Sequence, residues 1–297
     1  MEGYGTSGSE VNIMNIFSEK NQGGIRKPAV AGMFYPGSSS KLRADINGFL
    51  SNAEKVPING KITALIVPHA GYMYSGQIAA YAYKQIEGMD FDSVIMIGVS
   101  HRVPFRGVAI YKSGAYETPL GTVKIDESLA SELMEKTDIF GFYPNADAVE
   151  HSLEVQVPFL QVVLPELQIV PILMREWSDM IGYAISDALS EVIKNRNILL
   201  IASTDMSHYH QYKEAVSMDD VALTSIKRMD IEQLEDDLAS GEAELCGAGG
   251  VIVTLMTAKR LGADGIEILK YANSGDVTGD KSEGVVGYFS AMIYQRT

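Results

Sequence analysis

An α/β fold, with a central mixed but largely parallel sheet flanked by helices, is predicted by three features of the 297-residue sequence. Strand-length apolar runs rich in Val and Ile recur without polar alternation, helical patterns separate them, and no repeat, low-complexity linker or long charge block interrupts the series. Runs apolar on both sides suit strands buried on both faces. Their alternation with helices argues a layered sandwich with helices on each side of one sheet.

Residues 1–25 are polar and Gly-rich apart from a short apolar patch with Ile13, Ile16 and Phe17, and read as an arm that docks on the core through that patch. Residues 26–297 read as a single domain. Strands are expected at 62–67, 93–99, 168–173, 197–202 and 285–293, and helices at 75–87, 127–136, 178–194, 215–229 and 247–261. Residues 150–154 open a further apolar helical stretch, which Pro158 is expected to end or kink.

Composition narrows the function. The chain has 24 Lys and Arg against 38 Asp and Glu, a net charge of −14 that disfavours nucleic-acid partners. A single cysteine excludes an internal disulfide. No apolar run reaches the roughly 18–20 residues of a membrane span, and no leader pattern is visible, so a cytoplasmic location is expected.

Three histidines follow predicted strands: His69, His101 and His208, the last accompanied by Asp205. In open α/β sheets ligands bind at the carboxyl ends of strands, so three such imidazoles point to one convergent site rather than to three unrelated loop residues. Cys246 precedes a Gly-rich helix start. It reads either as a thiolate stabilised by backbone N–H groups or as a small buried hydrophobe. His151 and Glu154, three apart, share a helical face if that segment is helical, either acting together or simply opening the helix. Tyr72 and Tyr74 are candidates for a pocket wall, or for loop packing. The glycines near Cys246 do not fit a dinucleotide fingerprint, and neither a phosphate-binding loop nor a nucleophile elbow is present.

Eight short segments, in order, resemble the Memo family. They are Pro28-Ala29-Val30-Ala31-Gly32-Met33-Phe34-Tyr35-Pro36, Val67-Pro68-His69-Ala70-Gly71-Tyr72, Gly98-Val99-Ser100-His101, Glu117-Thr118-Pro119-Leu120-Gly121, Glu150-His151-Ser152-Leu153-Glu154, Ser203-Thr204-Asp205-Met206-Ser207-His208-Tyr209, Leu245-Cys246-Gly247 and Tyr271-Ala272-Asn273-Ser274-Gly275-Asp276. Microbial members are often named as component B of the AmmeMemoRadiSam system, which implies radical-SAM and AMMECR-type proteins as functional neighbours.

The resemblance implies a fold shared with class III extradiol dioxygenases, non-haem iron enzymes. It matches His69 and His101 to the two histidine ligands and His208 to the acid/base. Cys246 stands where the dioxygenases place a carboxylate. A thiolate is softer and more oxidisable than a carboxylate, so ring cleavage does not carry over with the fold.

Three functions are therefore expected to compete. One is a redox enzyme holding Fe(II) or copper on His69, His101 and Cys246, with His208 moving protons, Asp205 orienting His208 or a substrate hydroxyl, and His151 and Glu154 supporting the ligands. Another is a non-catalytic binding or scaffold protein whose pocket takes a peptide or small molecule. The third is a metal-free hydrolase with Cys246 as nucleophile and His208 as base.

Overall fold

The computed structural model describes residues 24–164 and 166–297. The apolar patch at Ile13, Ile16 and Phe17 lies outside the described residues. β1 (Ile25–Arg26) is followed by α1 (Ser39–Ser51), whose Leu42, Ile46 and Leu50 make a buried stripe at four-residue spacing. β2 (Gly60–Val67) runs through His69 into α2 (Tyr72–Ile86), and β3 (Ser93–Val99) into the loop bearing His101. Three short strands, β4 (Val108–Ile110), β5 (Ala115–Thr118) and β6 (Gly121–Ile125), lead to α3 (Glu127–Lys136). The Asp126 side chain caps α3 by accepting the Leu129 N–H.

β7 (Phe140–Gly141), α4 (Pro144–Val149) and α5 (Val157–Val163) precede β8 (Gln168–Met174) and the Ser178-capped α6 (Asp179–Ile193). β9 (Ile198–Ser203) and β10 (His208–His210) bracket the Asp205 loop. α7 (Tyr212–Lys227), α8 (Ile231–Ser240) and α9 (Ala248–Arg260) follow, then β11 (Gly265–Asn273), α10 (Ser274–Thr278) and β12 (Val285–Arg296).

The strands form one sheet in the order β1-β5-β6-β8-β3-β9-β2-β12-β10, with β11 also paired to β12. From β6 to β2 every neighbouring pair is parallel, while β12 runs antiparallel to β2, β10 and β11. The mixed, largely parallel sheet expected from the sequence is therefore present. Alternate residues of the central strands enter opposite layers. Ile66, Ile95, Val170 and Leu200 pack with residues of α3, α6 and α9, whereas Leu65, Met96, Ile169 and Leu199 pack with α1, α2 and α5. Among the described residues no helix is long and apolar enough to cross a membrane.

The sheet order places the chemistry. β9 lies between β2 and β3, with Val67 beside Ser203 and Ile97 beside Ala202. The carboxyl ends leading to His69, Asp205 and His101 are thus three adjacent strand ends, as the switch-point argument requires.

The expected helix at 150–154 is corrected. Residues 150–153 are irregular, Glu154–Gln156 form one 3-10 turn, and Pro158 lies in the first turn of α5. Proline lacks an N–H, and helix starts leave that donor unused, so Pro158 begins this helix rather than ending it. Gly98 makes room for the segment: a Cβ there would lie 2.7 Å from both Leu153 Cδ2 and Ser152 Oγ.

Candidate metal centre

Three potential ligand atoms, one each from His69, His101 and Cys246, lie within 4.8 Å of one another. His69 is buried and His101 exposed, so the cluster has a dry inner side and an open outer one.

The surroundings of His69 determine its tautomer. Ser203 Oγ lies 2.6 Å from the Ser152 carbonyl oxygen, which can only accept, so the hydroxyl proton is committed there. Ser203 Oγ also accepts from Gln156 Nε2 at 2.9 Å, an amide whose orientation is set by Tyr83 donating to its oxygen. Oγ therefore accepts from His69 Nδ1–H at 3.0 Å. The Nε2 lone pair is left facing Cys246 Sγ at 3.1 Å. Burial, together with His151 and His101 nearby and against the pull of Asp205, lowers the His69 pKa to about 4. The ring is neutral at pH 7, as a ligand must be.

Glu150 does the same for His101. Its carboxylate accepts His101 Nδ1–H at 2.9 Å and the backbone N–H groups of His101, His151 and Ser152 at 2.6, 2.8 and 2.9 Å. Burial would raise its pKa, but the hydrogen bond from the His101 ring, the adjacent His151 imidazole and the Ser152 N–H outweigh this and hold the carboxyl well below its ordinary range. His101 Nε2 is thereby left free to ligate. Such a carboxylate–histidine pair is the usual outer support of a metal ligand.

Cys246 enters from the turn before α9. Its Sγ accepts the Asp205 N–H at 3.2 Å, and its own N–H donates to Asp205 O at 3.2 Å. Burial and the Asp205 charge overcome the backbone donors and push the thiol up to about 12. Without metal, Cys246 is a thiol that donates to His69 Nε2.

Close approach at Gly247 makes this possible, since a Cβ there would lie 2.4 Å from Ser203 O and 2.9 Å from Thr204 Cβ. Gly247→Ala is expected to cost about 1–3 kcal/mol by forcing these backbones apart, measurable by urea unfolding.

Asp205 accepts the His69 N–H at 2.7 Å, and its other oxygen lies 3.9 Å from His69 Nε2. Asp205 thus joins His69 to Cys246. His208 is half-buried three residues further on. Its N–H donates to Glu244 at 3.2 Å and its ring contacts Tyr209, outside the three-ligand set.

His151 does reach the centre. It stacks on His101 at 4.7 Å between ring centroids and stands perpendicular to His69 at 5.5 Å. Its buried Nδ1 lies 3.2 Å from Glu150 Oε1 without hydrogen-bonding geometry. Glu154 is not brought there. Its carboxylate is taken by Arg26, by the Ala29 and Val30 N–H groups, and by the Tyr35 hydroxyl. Tyr72 also lies elsewhere than expected, packed in the core against Tyr35, Phe49 and Phe159 with its hydroxyl on Val155 O. Tyr74 is half-buried on α2. Sequence reasoning missed Ser203, Gln156 and Glu150, although all three lay in or beside segments already singled out.

A cleft of about 830 Å³ lies at the opposite, amino edge of the sheet, around Lys61, Lys194 and Asn197, and contains none of these groups. A small cavity of about 110 Å³ touches Cys246 between Met174, Trp177 and the start of α9.

Fold and site together define an α/β protein with a two-histidine, one-cysteine ligand cluster at the carboxyl edge of its sheet. The donor set suits a metal ion, because both imidazole Nδ1 protons are engaged from behind and the free nitrogens accompany a thiol. Residues 26–292 match the family model described as Memo-like protein, and the chain belongs to the Memo family.

Relatives named MEMO1 family protein include one from Nitrosopumilus maritimus, 36% identical over 269 residues and covering 89% of this chain and 98% of that one. Another, from Methanothermobacter thermautotrophicus, is 38% identical over 276 residues, covering 89% and 98%. A crystal structure of an uncharacterized protein from Escherichia coli K12 shares the fold at TM-score 0.51 and 13% identity, covering 78% of this chain and 99% of that one.

Proposed function

We propose that the chain is a metal-dependent redox protein of dioxygenase-like type, with Fe(II) or copper held by His69, His101 and Cys246. The observation that carries this reading is the convergence of three donor atoms within 4.8 Å, two of them on rings whose other nitrogen is anchored. When bound, the metal supplies redox and Lewis-acid chemistry.

The chain's own residues do the rest. Ser203 and Glu150 hold the ligand rings, Asp205 ties the His69 turn to the Cys246 turn, and the open side at His101 admits a small molecule. His151 and His208 are the proton-handling candidates, His151 by its stacking against His101. The reading includes a cytoplasmic location and radical-SAM and AMMECR-type neighbours.

The 3.1 Å contact between Cys246 and His69 also fits a nucleophile dyad. A thiol pushed up to about 12 works against that alternative, since the thiolate is the nucleophile.

Anaerobic titration with Fe(II) and with Cu(I) tests the proposal. Stoichiometric uptake of one of the two metals is expected. Absence of uptake of either metal would leave a binding protein or a thiol hydrolase. Uptake must also displace the thiol proton, whereas His69 has none to lose at pH 7. Wild type is therefore expected to release one proton more per Co(II) bound than Cys246→Ser, read by pH-stat in weak buffer. Its affinity advantage over that variant should grow with rising pH.

A further inference from the structure

Arg26 is 4% exposed and lies 124 positions before Glu150, yet its guanidinium sits directly behind the candidate centre. Nε donates to Asp147 O at 3.0 Å, one terminal nitrogen donates to Lys27 O at 3.1 Å and to the Glu154 carboxylate, and the other donates to Glu150 O. The Tyr116 ring lies 5.0 Å from its central carbon. Asp147 and Glu150 belong to the last turn and cap of α4, so the cation satisfies carbonyls that the helix end leaves free. Only the planar fork of arginine reaches three nitrogens' worth of separate acceptors at once.

The Glu154 partner closes the arrangement. It gathers the Ala29 and Val30 N–H groups at 2.7 and 3.0 Å and the Tyr35 hydroxyl at 2.5 Å. Phe34, between them, stands edge-on to His151 with ring centroids 4.8 Å apart. The segment from Arg26 to Tyr35 thus grips residues 147–154 from behind and walls one ring of the site. A buried ion pair is a poor source of net stability, because desolvation offsets its attraction. The directed bonds to the two carbonyls are the part of this arrangement that apolar residues could not replace.

We propose that Arg26 is a positioning residue for the candidate centre, fastening the backbone at Asp147 and Glu150 so that the Glu150 carboxylate holds His101 with Nδ1 protonated and Nε2 free. For its metal readout this inference rests on the proposed metal-binding function; for its effect on the His101 ring it does not.

The test compares wild type, Arg26→Lys, the double variant Arg26→Met with Glu154→Met, and Leu42→Ala as a core-destabilised control. The double variant removes both charges of the Arg26–Glu154 pair together but leaves the Ala29 and Val30 N–H groups and the Tyr35 hydroxyl without their acceptor, so it is expected to melt well below wild type. In the metal-free proteins, 15N NMR reads the His101 tautomer, and Co(II) titration reads affinity. Wild type and Leu42→Ala should both show the Nδ1–H form alone and equal Co(II) affinity. The double variant should show mixed tautomers and lose about tenfold or more in affinity, and Arg26→Lys should do the same because a point charge lacks the fork.

A folded double variant with the wild-type tautomer and affinity would overturn the proposal. Should it not fold, the same result in Arg26→Lys would overturn it. If wild type takes up no Co(II), the metal-binding reading fails, while the tautomer still decides the role of Arg26.

Discussion

Cys246→Ser is expected to lower Cu(I) affinity on the order of 100-fold or more, because it removes the chain's single thiol from a set whose other members are imidazoles. Soft Cu(I) depends on sulfur more than Fe(II) does, so the loss for Fe(II) should be smaller. Cys246→Glu restores an oxygen ligand of the kind the resemblance assigns to ring-cleaving enzymes, and is expected to shift preference towards Fe(II). The longer side chain has somewhere to go, since a cavity of about 110 Å³ borders Cys246. Competitive binding of Fe(II) and Cu(I) to all three proteins, kept anaerobic, measures the preference. The same preference in all three would show that Cys246 is not a ligand and would return it to the role of a buried thiol.

Glu150→Gln is nearly isosteric but reverses the hydrogen-bonding logic of the site. The carboxylate receives four N–H donors, three from backbone and one from His101. An amide has one accepting oxygen and places an NH2 group against the remaining donors. Glu150 is 3% exposed and the Ser152 N–H beside it is buried, so little water reaches the place of the lost acceptor. A stability loss of about 2–3 kcal/mol is expected from unpaired buried groups, measured by urea unfolding. Metal affinity should fall about 10–100-fold, since His101 loses the partner that sets its tautomer. A variant with wild-type affinity would mean that His101 needs no orienting carboxylate. Measuring stability and affinity separately shows whether the two losses arise together, as one network shared by backbone and ligand requires.

Much of the scaffold was legible one residue at a time. The runs at 62–67, 93–99, 168–173 and 197–202 became β2, β3, β8 and β9, because a strand buried on both faces has few compositions open to it. α1 went unread despite its Leu42, Ile46 and Leu50 stripe, and β11 despite Ile266 and Ile268, since their burial is partial and their polar residues dilute the period. Pro158 was misread because one proline stops a helix from inside and starts it from the first turn, and only the chain path distinguishes the two.

By itself the sequence determined the layered α/β class and the positions of His69 and His101 after strands, and by resemblance the inclusion of Cys246. Apolar periodicity and strand-end placement are local properties, so they survive without coordinates. Tertiary structure alone decided that β9 lies between β2 and β3, that Ser203 and Glu150 set the two ring tautomers, that burial raises the Cys246 thiol, and that Glu154 serves Arg26 rather than His151. Each of these depends on which polar groups meet after burial, at separations of 41 to 134 residues for most of the contacts involved. A buried hydrogen bond or charge gains its strength from a partner and from the exclusion of water, and neither is written at any single position in the chain.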